Sequence, residues 1–209
     1  MKTDWVPFSA ALLVTGALAL GLGAFLLPSA DGTADSLRIV QEQSGQWLTV
    51  AAIFFLASVC LTLGLPAVLT LFDRRGWTLG LVSVLVLEVG FIGTAGFAML
   101  MVFFRSLVIT DALRDQGLED AASEAGLTVF LAIWIVALYL GELLLGLALL
   151  RARTTPRWVP LALIAHSASV LVSPLLPDLV GKALILLLVV GFCGIAVQAT
   201  SPTPRRRSG

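Results

Sequence analysis

Apolar residues dominate six stretches of the chain, and each is long enough, or nearly so, to cross a lipid bilayer as a helix. A helix that crosses about 30 Å of hydrocarbon needs about 20 mostly apolar residues. The six predicted spans are 8–27, 47–72, 77–104, 127–150, 158–176 and 183–199. Transmembrane strands alternate apolar and polar residues, whereas Leu143–Leu150 and Leu184–Val190 are continuous apolar runs. The pattern therefore predicts an all-α, polytopic membrane helix bundle with six transmembrane helices.

The overall composition agrees with this pattern and excludes two other classes of protein. Of the 209 residues, 58% are hydrophobic and 12% are charged, and the mean hydropathy is +1.01. A soluble domain has about 25% charged residues, and a disordered chain has low hydrophobicity. Thirteen basic and 13 acidic residues balance, so the charge gives no reason to expect a nucleic-acid partner. Residues 1–200 are predicted to be one membrane domain whose main partner is the lipid bilayer.

The basic residues predict which end of the bundle faces the cytoplasm. Both termini and the segments after the even-numbered spans carry nine of the 13 basic residues. These nine are Lys2, Arg74, Arg75, Arg151, Arg153, Arg157, Arg205, Arg206 and Arg207. Since cytoplasmic loops carry an excess of Lys and Arg, both termini are predicted to be cytoplasmic, with the protein in the plasma membrane. Residues 201–209 then form a basic, disordered tail. An alternative is that a signal peptide ends at Ala30, which would leave five spans.

Several details of helix shape are also predicted. Two interpretations of the longer outer segments are open. They are solvated loops, or they contain a short interfacial helix at Ala34–Gln43 and a continuation of the third span over Arg105–Leu113 with a break at Gly117. Pro66 is expected to kink the second span, because proline removes the hydrogen bond to the carbonyl of Thr62. Two interpretations of this kink are open: the freed carbonyl lines a cavity, or the kink only adjusts packing.

Three ionisable residues inside the predicted spans are the candidates for chemistry. Ionisable groups within a membrane are costly and usually face the interior of a bundle or a water-filled cavity. The three are Glu88, Glu142 and His166. At 1.5 Å per residue, Glu88 lies about 20 Å from the inner boundary, and Glu142 and His166 each lie about 14 Å from it. The three residues are therefore predicted to share one level near the middle of the membrane.

Helical spacing places polar neighbours beside two of these three groups. Tyr139 precedes Glu142 by three residues, and Ser169 follows His166 by three, so each pair shares a helix face. Such stripes are typical of a cavity wall. On the third span, Glu88 lies roughly opposite a face of small residues that suits close helix packing. The small residues of that face are Ser83, Gly90, Gly93 and Thr94.

Structural roles for the same residues form an alternative interpretation. A protonated carboxylic acid in a dry bundle can donate one hydrogen bond that merely holds helices together. Two carboxylates and one His could also bind a divalent ion, although no ExxH pair supports this. Cys60 and Cys193 fall within spans and are predicted to be small buried residues. Because CxxC, HExxH, P-loop and GxSxG motifs are absent from the sequence, neither a metal nor a cofactor is predicted.

One segment resembles known membrane proteins. Gly141–Pro160 reads GELLLGLALLRARTTPRWVP, in which an apolar helix end and a basic turn precede Pro-Arg-Trp and a new helix. This segment resembles the second half of small, uncharacterised six-helix integral membrane proteins of high-GC bacteria. The preference for Arg over Lys is similar to that of such proteomes. The resemblance implies a six-helix bundle, and it implies neither an activity nor site residues.

Three functions are compatible with the sequence. The first is a small transporter or ligand-binding protein that holds a proton, a cation or a small polar group. A carrier with six helices is expected to form a homo-oligomer. Its site would comprise Glu88, Glu142 and His166 with Tyr139 and Ser169 beside them. The second is a membrane-embedded enzyme with a buried glutamate as general acid on a lipid or isoprenoid. The third is a non-catalytic assembly subunit. The first two hypotheses weaken if the three ionisable residues do not converge on one cavity.

Overall fold

The computed structural model describes residues 5–30, 32–72, 75–112 and 124–201, and all regular structure within them is helical. The predicted all-α class is therefore confirmed. The α-helices are α1 (Val6–Leu26), α2 (Thr33–Glu42), α3 (Ser44–Leu69), α4 (Trp77–Ile109), α5 (Ala125–Ala152), α6 (Trp158–Ser169), α7 (Asp178–Ala183) and α8 (Ile185–Thr200). A 3₁₀ turn, Ser173–Leu175, lies between α6 and α7.

Within the described residues, five helical segments are long and apolar enough to cross a membrane. They are α1, α3, α4, α5 and the 23-residue segment Asp178–Thr200, which α7 and α8 form together. Half or more of the most apolar stretch of each segment is not buried inside the bundle, so apolar surface faces outward. This is the distribution expected for helices surrounded by lipid, and it supports the prediction of a multi-pass membrane protein.

The fifth predicted span, residues 158–176, does not form one continuous helix. Helix α6 ends at Ser169, and its 12 residues extend about 18 Å, which is less than the hydrocarbon thickness. The amide groups of Leu171 and Val172 bond to carbonyl oxygens three residues back rather than four. Pro174 and Pro177 follow, and each proline disfavours helix at the residue before it. Local backbone chemistry therefore ends the helix although the sequence remains apolar.

Six of the helices form a closed ring. Contacts join α1 to α3, α3 to α4, α4 to α5, α5 to α6, α6 to α8, and α8 back to α1. The middle of the ring is filled rather than open, because Phe91 of α4 reaches Phe192 of α8 with ring centroids 6.1 Å apart. Both phenylalanines are fully buried. The bundle interior is thus a packed apolar core into which polar groups enter at few places.

Contacts between helix ends define the two ends of the bundle. Gly194 near the end of α8 packs against Trp158 at the start of α6. At the opposite end of the bundle, Lys182 of α7 donates to the carbonyl oxygen of Leu27, just after α1, at 2.9 Å. Residues 158–178 therefore join one end of the bundle to the other, and the second part of this passage is largely non-helical.

Helices α1 and α3 approach each other closely at the position of the interior proline. A Cβ atom on Gly64 would lie 2.7 Å from backbone atoms of Leu13. The Ser9 hydroxyl lies 2.9 Å from the carbonyl oxygen of Leu63 and accepts a hydrogen bond from the amide of Ala67 at 3.2 Å. Pro66 lies within α3. A neighbouring helix therefore supplies polar contacts to the backbone around the proline.

Two of the longer connecting segments follow the helical interpretation rather than the solvated-loop interpretation. The short helix predicted at Ala34–Gln43 is α2, and α4 continues beyond Arg105 to Ile109. The predicted break at Gly117 lies outside the described residues, as does the tail beyond residue 201.

Candidate functional site

The side chains of Glu142 and His166 meet between α5 and α6. Glu142 Oε2 lies 2.6 Å from His166 Nδ1. Glu142 is 0% exposed and His166 is 3% exposed. At this distance the two atoms share a hydrogen bond, whichever of them holds the proton. The pair therefore consists of two ionisable side chains that are bonded to each other and enclosed between α5 and α6.

Two glycines explain how a glutamate becomes so deeply buried on α5. A Cβ atom on Gly146 would lie 2.6 Å from Ile164 and 3.0 Å from the carbonyl oxygen of Pro160, both on α6. On another side of α5, a Cβ atom on Gly141 would lie 2.8 Å from the side chain of Leu87. The absence of side chains at these positions lets α4 and α6 approach α5 closely. Glu142 is enclosed by that approach.

The second carboxyl oxygen of Glu142 has no hydrogen-bond partner among the described residues. Oε1 is buried and unpaired, while Oε2 is bonded to His166. A buried polar atom without a partner is costly, and in native proteins its causes include strain, a catalytic role, and a bound water or ion. Oε1 can accept a hydrogen bond from a donor or carry a proton itself. The pair thus has one further position at which a proton or a polar ligand could be held.

Tyr139, predicted to lie beside Glu142, contacts the histidine. Its ring stacks on the imidazole of His166, with centroids 5.5 Å apart and an interplanar angle of 27°. The hydroxyl of Ser167 donates to the carbonyl oxygen of Tyr139 at 2.8 Å. Ser167 was not among the predicted site residues, although its place next to His166 in a short polar stretch was a usable signal.

Ser169 bonds to the backbone at the end of α6. Its hydroxyl donates to the carbonyl oxygen of His166 at 2.6 Å, so it bonds to the backbone at the end of α6 rather than to the imidazole or the carboxyl group. Beside this helix end, an open apolar groove of about 340 Å³ lies between α5 and α6, and its polar lining residues are Tyr139 and Ser167.

Glu88 lies apart from this pair. Its neighbour Leu87 contacts Gly141 of α5, and Gly90 lies against the backbone of Leu138. Glu88 itself is half-buried, and its carboxyl group interacts with the side chain of Thr62 on α3. The structure therefore brings two of the three predicted residues together, and the third faces a different helix. The predicted small-residue face opposite Glu88 is the face that packs on α5.

The described residues contain no group of three or more His, Cys, Asp or Glu side chains that could hold a metal ion. Cys60 is buried and Cys193 is half-buried, and both are free thiols. The chain matches no protein-family model, no curated protein and no solved structure. The arrangement of Glu142, His166 and Tyr139 is therefore the basis for any functional assignment.

Proposed function

We propose that this chain is a small integral membrane transporter that moves a proton together with a small polar solute, and that Glu142 and His166 form its proton site. The observation that carries the proposal is the 2.6 Å contact between two fully enclosed ionisable side chains. Carboxylate and histidine relays inside membranes are typical of proton-coupled carriers. The free Oε1 atom of Glu142 supplies the position for a second proton or for a donor group of the solute.

We propose that the chain crosses the plasma membrane six times, with both termini in the cytoplasm. The excess of basic residues at one side supports this orientation. The passage of residues 158–178 between the two ends of the bundle supports a fifth crossing, in which α6 provides only the first part. Carriers often contain such discontinuous helices beside their binding sites. Here α6 ends three residues after His166, so an unwound segment adjoins the proposed proton site.

The proposed mechanism follows from the charge of the pair. Glutamate and histidine with one proton between them carry no net charge, so the closed bundle tolerates them. A second proton gives the pair a positive charge, and loss of the shared proton gives it a negative charge. Either charge is costly in an apolar interior. A change in proton number therefore favours a conformation that admits water or solute, with movement of the short helix α6 as the expected opening step.

Proton movement in liposomes tests this proposal. The purified chain is reconstituted in vesicles that contain a pH-sensitive dye, and pools of amino acids, sugars and organic cations are added outside. We expect at least one pool to drive proton movement with the wild-type chain. Glu142→Gln and His166→Ala are expected to abolish this movement while insertion and helical content stay unchanged. Full solute-driven movement in both variants, or none in the wild type with any pool, contradicts the proposal.

Glu88→Gln is the matched control. It makes the same chemical change to a glutamate at a similar depth, but the residue lies on α4 against Thr62 and outside the Glu142–His166 pair. We expect this variant to retain solute-driven proton movement. Equal loss in Glu88→Gln and Glu142→Gln would mean that any carboxyl group in the membrane supports the activity, and the assignment of the pair would then be wrong.

A further inference from the structure

Residues 170–184 join α6 to α8 and form a connector that packs loosely on the bundle. None of the connector residues whose burial the structure describes is buried. Its leucines at positions 171, 175 and 179 are 79%, 84% and 71% exposed. Buried apolar side chains hold α6 and α8 in the ring, but contacts of this kind do not hold the connector between them.

A polar cluster ties the connector to the end of α1. The Lys182 ammonium donates to the carbonyl oxygen of Leu27 at 2.9 Å and to the hydroxyl of Ser29 at 2.7 Å. The Ser29 hydroxyl donates to the Asp178 carboxylate at 2.7 Å, and this carboxylate lies 3.1 Å from the ammonium. The last carbonyl groups of a helix lack partners within the helix and attract a cation. The cluster therefore satisfies the end of α1 and holds the connector through side chains.

The end of α1 is a fixed point on the bundle. Helix α1 packs tightly on α3, because a Cβ atom on Gly16 would lie 2.7 Å from Leu61. At the same end as the polar cluster, Gln46 of α3 donates to the carbonyl oxygen of Leu26 at 2.8 Å. The cluster thus joins a loosely packed segment to a helix end that is held in place independently of the connector.

The connector begins beside the enclosed Glu142–His166 pair. Its first residue, Val170, lies four residues after His166 in the sequence. Val170 and Leu171 line the groove between α5 and α6 together with Tyr139. The ring of Tyr139 stacks on the imidazole of His166. Movement of the connector would therefore change the contacts directly beside the pair.

We propose that Ser29, Asp178 and Lys182 form a latch that holds the connector against the end of α1 and so keeps the Glu142–His166 pair closed to water from that end of the bundle. Release of the latch lets the connector and the last turn of α6 move away without taking a buried side chain of the connector out of the bundle. Exposed ion pairs are individually weak, which suits a contact that must break and re-form. The role of the latch in opening rests on the proposed function, since access matters only if the pair exchanges protons with water.

Thiol labelling of the last turn of α6 tests the latch. In a chain with Cys60 and Cys193 replaced by alanine, Ser169→Cys places a reporter thiol at a position that is 7% exposed. Its rate of reaction with a hydrophilic maleimide is measured in nanodiscs, where both membrane faces are accessible. Lys182→Met removes the ammonium group and is expected to raise this rate about tenfold, as for loss of hydrogen bonds to a charged group. An unchanged rate overturns the proposal.

Three comparisons make the result specific. Lys182→Arg keeps a cation and its donors, and it is expected to leave labelling slow. Gln46→Leu removes a hydrogen bond to the same end of α1 without touching the connector, and labelling is again expected to stay slow. In chains that retain Cys60, which is buried on α3, Lys182→Met is expected to leave the labelling of Cys60 unchanged. Fast labelling of Ser169→Cys in Gln46→Leu, or an equal rise at Cys60, would indicate general loosening and would overturn the latch.

The labelling experiment needs neither a solute nor a proton gradient, so it can fail or succeed separately from the transport assay. If no solute pool drives proton movement but Lys182→Met exposes the reporter thiol, the transport proposal is wrong and the latch stands. If proton movement depends on Glu142 and His166 but labelling is the same with and without Lys182, the latch is wrong and the transport proposal stands.

Discussion

Glu88 and Glu142 are the same amino acid at similar depths, yet their surroundings differ in almost every respect. Glu142 is 0% exposed and bonded to His166 at 2.6 Å. Glu88 is half-buried and interacts with Thr62 on α3. The comparison teaches that depth in the membrane does not decide the role of an ionisable residue. The direction in which it leaves its helix decides whether it belongs to the interior or to the outer surface.

The glycines around each glutamate mark that direction. Gly146 lies four residues after Glu142, hence on the same face of α5, and it adjoins α6. Gly90 lies two residues after Glu88, hence on nearly the opposite face of α4, and it adjoins α5. Small residues indicate where helices approach most closely. Glu142 shares a face with a close-packing glycine and is enclosed, whereas Glu88 lies opposite to one and is only half-buried.

The largest expected difference between the two glutamates is in folding stability. Glu142→Ala leaves His166 buried without its partner and is expected to lower the free energy of unfolding by about 3–5 kcal/mol, the range for breaking one side of a buried pair. Glu88→Ala is expected to lower it by about 1 kcal/mol, the typical contribution of one hydrogen bond, because only the contact with Thr62 is lost. Unfolding titrations in detergent micelles, at dilutions where the chain is monomeric, measure both values.

A double substitution distinguishes the cost of leaving one polar group unpaired from the cost of removing the whole Glu142–His166 pair. Glu142→Leu with His166→Leu removes both polar groups, and it is expected to cost less than Glu142→Ala alone, because no unpaired group remains. Equal costs for Glu142→Ala and Glu88→Ala would show that the two positions are not energetically distinct. The burial of Glu142 and its bond to His166 would then not give it a larger effect on stability than Glu88.

A smaller effect is expected from widening the contact between α5 and α6. Gly146→Ala places a Cβ atom 3.0 Å from the carbonyl oxygen of Pro160, so the helices must shift. Overpacking of this kind costs about 1–3 kcal/mol, and it should also lengthen the contact between Glu142 and His166. Gly96→Ala on α4 is the matched control, because its nearest contact would be Phe130 at 3.8 Å. Unfolding free energies of the two variants in the same micelles give the comparison.

The control is expected to be neutral or slightly stabilising, since alanine favours helix over glycine by up to about 1 kcal/mol. Loss of stability in Gly96→Ala equal to that in Gly146→Ala would attribute the effect to the loss of glycine itself rather than to helix approach.

The stacking of Tyr139 on His166 is expected to contribute less to the free energy of unfolding than the contact between α5 and α6. Tyr139→Leu removes a ring that lies 5.5 Å from the imidazole of His166, and it is expected to cost about 0.5–1.5 kcal/mol beyond the change in buried area. Tyr139→Phe keeps the ring and is expected to be nearly neutral in the same unfolding titration. A larger cost for Tyr139→Phe than for Tyr139→Leu would show that the hydroxyl group, not the stacking, is what matters at this position.

The sequence could predict the level at which Glu142 and His166 meet, for a simple reason. Glu142 lies nine residues before Arg151, and His166 lies nine residues after Arg157. A short loop joins the two helices, so they run antiparallel as neighbours, and equal distances from that loop give equal depth. The depth of Glu88 can be counted in the same way, but α4 contacts both α3 and α5. Whether the Glu88 side chain faces α3 or α5 depends on how the helices pack, and counting residues does not give this.

The end of α6 was missed for a different physical reason. Residues 158–176 remain apolar throughout, and hydropathy alone measures compatibility with lipid rather than the ability to continue a helix. Pro174 and Pro177 were the signal that the backbone could not continue as a regular helix. The long helices were predicted well because their apolar runs contain few such residues, and α3 continues through Pro66 with Ser9 contacting the carbonyl oxygens of Leu63 and Gly64.

The smallest expected effect concerns the helix cap formed by Glu124, a solvent-exposed glutamate that can be compared with Glu88 and Glu142. Glu124 precedes α5, and its Oε2 atom accepts a hydrogen bond from the amide of Leu127 at 2.8 Å. Hydrogen bonds from the amide groups of Gly126 and Leu127 lower the pKa of Glu124. Because the folded-state pKa is lowered, the capping contribution is present above the ordinary pKa of glutamate. It is lost as the pH falls through the lowered value.

Amide hydrogen exchange at Leu127 measures this contribution when the wild type is compared with Glu124→Ala at each pH. The wild type is expected to exchange more slowly at neutral pH, and the difference is expected to disappear in acid as the carboxylate takes up a proton and the cap weakens. Glu88→Gln and Glu142→Gln should leave exchange at Leu127 unchanged at every pH, since neither residue contacts the start of α5. A difference that persists in acid would mean that side-chain shape rather than charge protects the helix start. The three glutamates would then differ by packing alone, and ionisation would not distinguish the one in water from the two in the membrane.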